Sequence, residues 1–237
     1  LTVWCSEIRH CAKRQNVIVH YKMNTNLWIY ADKNEQSRTA AQIIVFGAEI
    51  FKRAKTINEI DSLKKIKQDI DNKIIHPKDT NIGEFIFEYL VDCIRFMIFF
   101  ENYMKAELII RDYCVHVIDH NYPNFKSLSK DQRTRPIKLK EIHDIEEFKV
   151  DKENQTIYHN AIKDKTIQIN ELIGSEKYKS VYSFEPRMIE LIKDINRYRN
   201  GLHFRDKLEF QLSDTFISNL EYLSQFVDNT IRERIKK

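Results

Sequence analysis

The chain has 237 residues, enough to bury a substantial core and form one large domain or two small ones. Hydrophobic residues make up 42% and charged residues 31%, which excludes a disordered chain, and only four glycines and four prolines argue against a turn-rich β-sandwich. The formal net charge of +4 permits a nucleic-acid partner without requiring one. The composition therefore predicts a mainly α protein.

The cysteines and the apolar segments indicate the cellular environment. Four widely spaced cysteines form no CxxC pair, which favours reduced thiols over a disulfide framework. No signal peptide is recognisable, and the apolar stretch 85–100 is too short and too charged to span a bilayer. We therefore expect a soluble, cytoplasmic protein without a membrane segment.

The first part of the chain, residues 1–83, is interpreted as an N-terminal extension of a single domain that spans 1–237. Two β-branched and aromatic runs, 17–21 and 27–30, are separated by an asparagine-rich turn. Asparagine favours such turns, so the pattern predicts a short N-terminal β-hairpin.

Helical spacing of apolar residues begins after this hairpin. It predicts one helix from Glu35 to about Ile57 and a second from Ile60 to Ile75, closed by the proline at position 77. A longer helix-like segment, Glu84 to about His120, follows as one helix or two.

The character of the sequence changes between residues 121 and 185. Proline-containing breakers and polar–apolar alternation over 149–169 predict an irregular, partly β insertion. Pro186 then begins an amphipathic helix, and a last helix is predicted from about Asp214 to Arg234.

The run from Asn196 to His203 places two arginines, amide side chains and a histidine at the end of the penultimate helix. On a regular helix, Arg199 and His203 lie together at one edge of the apolar stripe, whereas Arg197 projects from the opposite side. Gly201 leaves this arrangement open, because glycine often ends a helix in a left-handed conformation.

This cluster fits two interpretations. Arginine and histidine in a last turn interact favourably with the negative end of the helix dipole, and Asn-Gly is a common stop signal. Alternatively, a histidine that titrates near neutral pH can take a proton from a ribose 2′-hydroxyl, while a guanidinium stabilises the charge that builds on the phosphate.

The spacing from Arg197 to His203 resembles the Arg-x4-6-His signature of the HEPN superfamily. In that signature an asparagine commonly follows the arginine. Here Asn200 follows Arg199, which lies one residue too close to His203 for the usual window. The resemblance therefore leaves two registers open, one with Arg197 and one with Arg199.

A second similarity lies upstream, where Glu101 and Lys105 resemble the Glu-x3-Lys of the first core helix in many HEPN proteins. The same spacing is that of an ordinary i,i+4 ion pair, which is the simpler reading of these two residues. The resemblance covers mostly 84–120 and 186–235.

The resemblance implies an up-and-down helical bundle that dimerises so that two Arg/His motifs face one cleft. It implies a metal-independent endoribonuclease of a toxin–antitoxin or phage-defence system, with RNA as substrate, no cofactor, and an antitoxin or other protein as a possible partner. The catalytic residues would be Arg197, Arg199, Asn200 and His203. The substrate-binding residues would be Asn196, Glu101 and Lys105.

Two other functions remain open. One is a non-catalytic HEPN-like module that dimerises or binds a nucleotide or a protein, and the other is a helical domain of an unrelated interaction protein. A metal site is not expected, because His116 and His120 have the spacing of a helical ligand pair but lack the glutamate of His-Glu-x-x-His.

Overall fold

The computed structural model describes most of the chain from residue 33 onwards. The described residues are 33–76, 80, 82–119, 121, 135–143, 149–151, 156–158, 161–182, 184–201 and 211–235. The predicted hairpin at 17–30 and the end of the Arg/His motif, including His203, lie outside them.

The described part of the chain is mainly helical, which confirms the predicted fold class at that level. The helices are α1 (Lys33–Lys52), α2 (Lys55–Asn58), α3 (Ile60–Asp71), α4 (Ile82–Ile110), α5 (Leu139–His143), α6 (Ile169–Gly174), α7 (Glu176–Tyr182), α8 (Pro186–Gly201) and α9 (Asp214–Ile235). The strands are β1 (His116–Ile118), β2 (Lys149–Asp151), β3 (Thr156–Tyr158) and β4 (Ile162–Thr166). Within these residues, no helix combines the length and apolar character needed to span a bilayer.

Helix α4 lies at the centre, and α1 packs along it in the opposite direction. The rings of Phe51 and Phe96 are 4.9 Å apart, and both side chains belong to the buried core. The two helices approach closely at Gly47, where an added Cβ would lie 3.1 Å from the Cα of Phe99. A glycine at this position therefore sets the distance between α1 and α4.

Helices α8 and α9 cover other sides of α4. The ring of Tyr198 near the end of α8 lies 5.6 Å from Tyr89, whereas Phe184, just before α8, lies 5.3 Å from Tyr103. Helix α8 is therefore antiparallel to α4. Helix α9 runs parallel to α4, because its early residue Phe216 contacts Tyr89 and its later residue Phe226 contacts Tyr103. Helices α1, α4, α8 and α9, the four long helices of the described residues, thus alternate in direction along the chain.

The predicted helix from 35 to 57 is two helices separated by a break. Helix α1 ends at Lys52, and Ala54 adopts an extended conformation with ψ 123° before α2 begins. Apolar spacing continues across the break, so the sequence pattern did not reveal it.

The predicted helix from 60 to 75 ends earlier, at Asp71. Lys73 has a left-handed φ of 58°, and the Ile74 N–H donates to the Asp69 carbonyl at 2.8 Å. This turn satisfies a carbonyl at the end of α3 and stops the helix before the proline is reached.

The segment predicted as helical up to His120 is one helix that stops at Ile110. Asp112 has a left-handed φ of 62°, and its carboxylate accepts hydrogen bonds from Lys33 and from Gln36, the latter at 2.8 Å. These contacts tie the start of α1 to the end of α4. The β-branched residues that follow form β1, so His116 lies on a strand.

The described residues of the predicted insertion at 121–185 are partly β, as expected, and also contain helices. Strand β1 precedes it and pairs antiparallel with β4, with His116 opposite Thr166. Strands β2 and β3 form a second antiparallel pair, with Lys149 opposite Tyr158. The last part is helical as α6 and α7, because the apolar residues of 169–182 pack into the main core.

Candidate functional site at the end of helix α8

Helix α8 carries most of the predicted site residues. It begins at Pro186, as expected, since proline has the helical φ and needs no N–H partner in the first turn. Met188, Ile192 and Ile195 are buried along the side that faces the core. The helix includes Gly201, so the regular geometry assumed for the motif holds as far as that residue.

The two arginines of the motif point in different directions. At 100° per residue, Arg199 lies about 40° from the buried Ile195, whereas Arg197 lies about 160° from it. Arg197 is exposed on the solvent side, where its guanidinium lies 3.3 Å from the Asp194 carboxylate and 5.5 Å from the Tyr198 ring. Arg197, whose spacing to His203 resembles the Arg-x4-6-His signature, therefore lies on the outer face of α8.

Arg199 has a different electrostatic environment. Its Nε and Nη2 lie 3.4 and 3.2 Å from the Asn200 Oδ1, a neutral acceptor. Lys193 pairs with Glu190 at 2.7 Å, and Arg197 pairs with a carboxylate as described above. Within the described part of the chain, Arg199 has no carboxylate partner. Its positive charge is therefore uncompensated there and can attract a phosphate.

Asn196, predicted to bind substrate, is buried between α8 and α6. Its side-chain Nδ2 donates to the Asn170 Oδ1 at 2.7 Å, and Asn170 itself is exposed. The Oδ1 of Asn196 accepts no hydrogen bond from the described residues. Asn170 could not be predicted from the sequence, because no local pattern indicates that α6 packs against α8.

A contact between two tyrosines holds this end of α8 against α4. The Tyr198 ring packs edge-on against Tyr89 at 5.6 Å. Burial, with a smaller effect of the neighbouring Cys93, raises the pKa of Tyr89 well above its ordinary value. Tyr89 is therefore a neutral packing residue rather than an acid or a base.

The described cysteines are not candidate nucleophiles. Cys93 and Cys114 are buried free thiols, as the sequence predicted for them. Burial raises the pKa of each thiol to about 12, so both stay protonated at neutral pH.

Glu101 and Lys105 form the ion pair that their i,i+4 spacing predicts. The Lys105 ammonium also donates to the Thr166 hydroxyl at 2.9 Å. Glu101 lies three turns beyond Tyr89 on α4, about 18 Å along the helix. Within one chain, the structure therefore does not bring this pair to the end of α8.

The helical spacing of His116 and His120 does not apply, because His116 lies on β1. His120 lies outside the described residues. Among the residues that the structure describes, no group of three or more His, Cys, Asp or Glu side chains is placed to hold a metal ion.

The end of α8 thus combines Arg199, a guanidinium without a carboxylate partner among the described residues, with amide side chains, Asn196 and Asn200 from α8 and Asn170 from α6. Such groups bind phosphate and sugar or base edges, since they supply a positive charge and both donors and acceptors.

No protein-family model, no curated protein and no solved structure matches the chain.

Proposed function

We propose that this chain is a HEPN-like, metal-independent endoribonuclease that works as a homodimer in a toxin–antitoxin or phage-defence system. The observation that carries the proposal is Arg199, a guanidinium without a carboxylate partner in the described chain, at the end of the helix that leads to His203. An antitoxin or another protein would control such an activity.

In this proposal Arg199 binds the phosphate at the cleavage position and stabilises the charge that develops on it. His203 takes the proton from the ribose 2′-hydroxyl, whose oxygen then attacks the phosphorus. The bond from phosphorus to the 5′ oxygen breaks, and that oxygen takes a proton from the protonated His203 or from water. The products are a 2′,3′-cyclic phosphate and a 5′-hydroxyl. Asn200 orients the phosphate or the histidine.

The arrangement of the helices supports a HEPN-like bundle. Helices α1, α4, α8 and α9 alternate in direction, as in an up-and-down bundle. Arg197 and Arg199 lie in the last part of α8, which is followed by α9 in the described chain.

Exposed apolar side chains support the homodimer. Phe87 is 62% and Ile94 41% exposed, and they lie two turns apart on the outer side of α4. Large apolar side chains repeated on one helix face indicate a protein contact, because exposure to water is unfavourable for them. We propose that the same face of a second copy covers them.

The proposed activity is tested with purified protein and single-stranded RNA in EDTA. We expect cleavage to proceed without metal and to leave 2′,3′-cyclic phosphate ends, detectable by their resistance to 3′ ligation until the ring is opened and the phosphate is removed. His203→Ala, checked for folding by circular dichroism, should abolish the cleavage. Unchanged cleavage by this variant, or an activity that EDTA removes, would contradict the proposal.

One observation favours the second candidate, a non-catalytic HEPN-like module. Arg197, the arginine with the family spacing to His203, lies on the solvent side with Asp194. A non-catalytic module would dimerise without cleaving RNA in any buffer. Measuring oligomeric state and cleavage on the same sample separates the two functions.

A further inference from the structure

The hydrogen bond between Asn170 and Asn196 extends the α8 site to a second helix. Asn196 and Arg199 are three residues apart, which places them one turn apart on neighbouring positions of α8. Asn170 reaches Asn196 from α6 at 2.7 Å. The exposed amide of Asn170 is therefore anchored beside the end of α8 that carries Arg199 and Asn200.

Stability does not explain the asparagine at position 196. Its side chain is only 7% exposed, and its Oδ1 has no hydrogen-bond partner among the described residues. A buried acceptor without a partner destabilises the folded state, and an apolar side chain of similar size would avoid this cost. What Asn196 does provide is a hydrogen bond that holds the exposed amide of Asn170 in place.

We infer that Asn170, positioned by Asn196, contacts a ribose hydroxyl of RNA next to the phosphate bound by Arg199. The inference rests on the proposed function. The Asn170 amide keeps two N–H donors and a further lone pair on Oδ1 for a ligand. A 2′-hydroxyl both donates and accepts a hydrogen bond, and DNA lacks this group. Asn170 thus gives the site its preference for RNA over DNA.

The test compares binding of a short fluorescein-labelled single-stranded RNA with binding of DNA of the same sequence. Fluorescence anisotropy is measured in the His203→Ala background, where the RNA stays intact. Asn170→Ala should weaken RNA binding about three- to tenfold, the effect of one hydrogen bond, and leave DNA binding unchanged. Arg199→Ala should weaken both. Asn229→Ala removes an exposed amide from α9 and should change neither.

Asn196→Leu separates positioning from stability. This variant should raise the melting temperature while it lowers RNA binding to the level of Asn170→Ala. Equal losses for RNA and DNA in Asn170→Ala, or no loss at all, would overturn the inference and leave the proposed function standing. A parent protein that binds neither RNA nor DNA would overturn both.

Discussion

The Asp92 carboxylate accepts two hydrogen bonds from Thr56 through one oxygen, from the backbone N–H and from the hydroxyl, each at 2.8 Å. Both residues are fully buried. Arg95 donates to the other carboxylate oxygen. A side chain of α4 therefore caps the first turn of α2 and fixes the break that separates α1 from α2.

Asp92→Ala should be strongly destabilising. It leaves two donors of Thr56 without a partner inside the core and removes the counter-charge of Arg95. We expect a loss of about 3 kcal/mol in the free energy of unfolding. Urea denaturation measures this loss, with Asp61→Ala as the control because the Asp61 side chain is fully exposed. A difference between the two variants below about 1 kcal/mol would contradict the capping role.

Gly47→Ala and Gly83→Ala should have opposite effects. Alanine favours a helix over glycine by about 1 kcal/mol. At position 83 no atom of the described residues lies within 4 Å of the new methyl group, so this variant should be more stable. At position 47 the methyl group would meet the backbone of Phe99 at 3.1 Å and push α1 from α4. We expect a net loss of about 1 kcal/mol there, measured by urea midpoints. If Gly47→Ala were more stable than the parent, α1 and α4 could move apart at this position without an energetic cost.

Arg199→Ala and Arg197→Ala distinguish the two registers of the motif. If Arg199 stabilises the transition state, Arg199→Ala should lower kcat/KM for RNA cleavage about 100- to 1000-fold. Arg197→Ala should then have a small effect, since its exposed pair with Asp194 contributes little. Lys193→Ala, on the same solvent side, is the control for general loss of charge. A larger loss of kcat/KM in Arg197→Ala than in Arg199→Ala would indicate that Arg197 binds the phosphate.

Phe87→Glu should dissociate the proposed homodimer. A carboxylate at this position of α4 would be buried without a partner in an apolar contact. We expect a shift from dimer to monomer in sedimentation velocity at the same protein concentration. Ile74→Glu is the matched control, because Ile74 is 70% exposed but lies after α3 and not on α4. An identical sedimentation profile for both variants would place the interface elsewhere.

Asp112 should make the fold less stable in acid. The hydrogen bond from Lys33, with a smaller contribution from Gln36, holds the pKa of this carboxyl below its ordinary value of 3.8. Because the pKa of Asp112 is lower in the folded than in the unfolded state, its contribution to the free energy of unfolding is complete above about pH 4. This contribution is lost as the pH falls through the folded-state pKa. Asp112→Asn keeps a residue that tolerates the left-handed φ. Its melting temperature should approach that of the parent as the pH falls, and a constant difference would contradict this role.

The sequence predicts the long helices because each presents a repeated apolar face. The limits of α8 and α9 follow from Pro186 and from the spacing of buried residues such as Ile195 and Leu220. The break at Ala54 could not be predicted, since its cap comes from Asp92, which is distant in the sequence. The strand β1 was missed because it pairs with β4 across a long connection.

The candidate site likewise has features that follow from the local sequence and others that depend on tertiary packing. Local spacing predicts Arg197, Arg199 and Asn200 as candidates, and the two arginines lie on different sides of α8, as helical geometry predicts. The contact with Asn170 and the separation of Glu101 from α8 are tertiary properties. They depend on the packing of α6 against α8 and of α8 along α4.

Helix α4 gives α1, α8 and α9 a common packing partner, through rings such as Tyr89, Phe99 and Phe100. A shortened chain that lost α8 or α9 would expose these rings to water, because buried residues of all four helices belong to one core. The end of α8 therefore depends on the integrity of the entire bundle. A substitution in the core can change the position of Arg199 without touching the site, through the cooperativity of the fold.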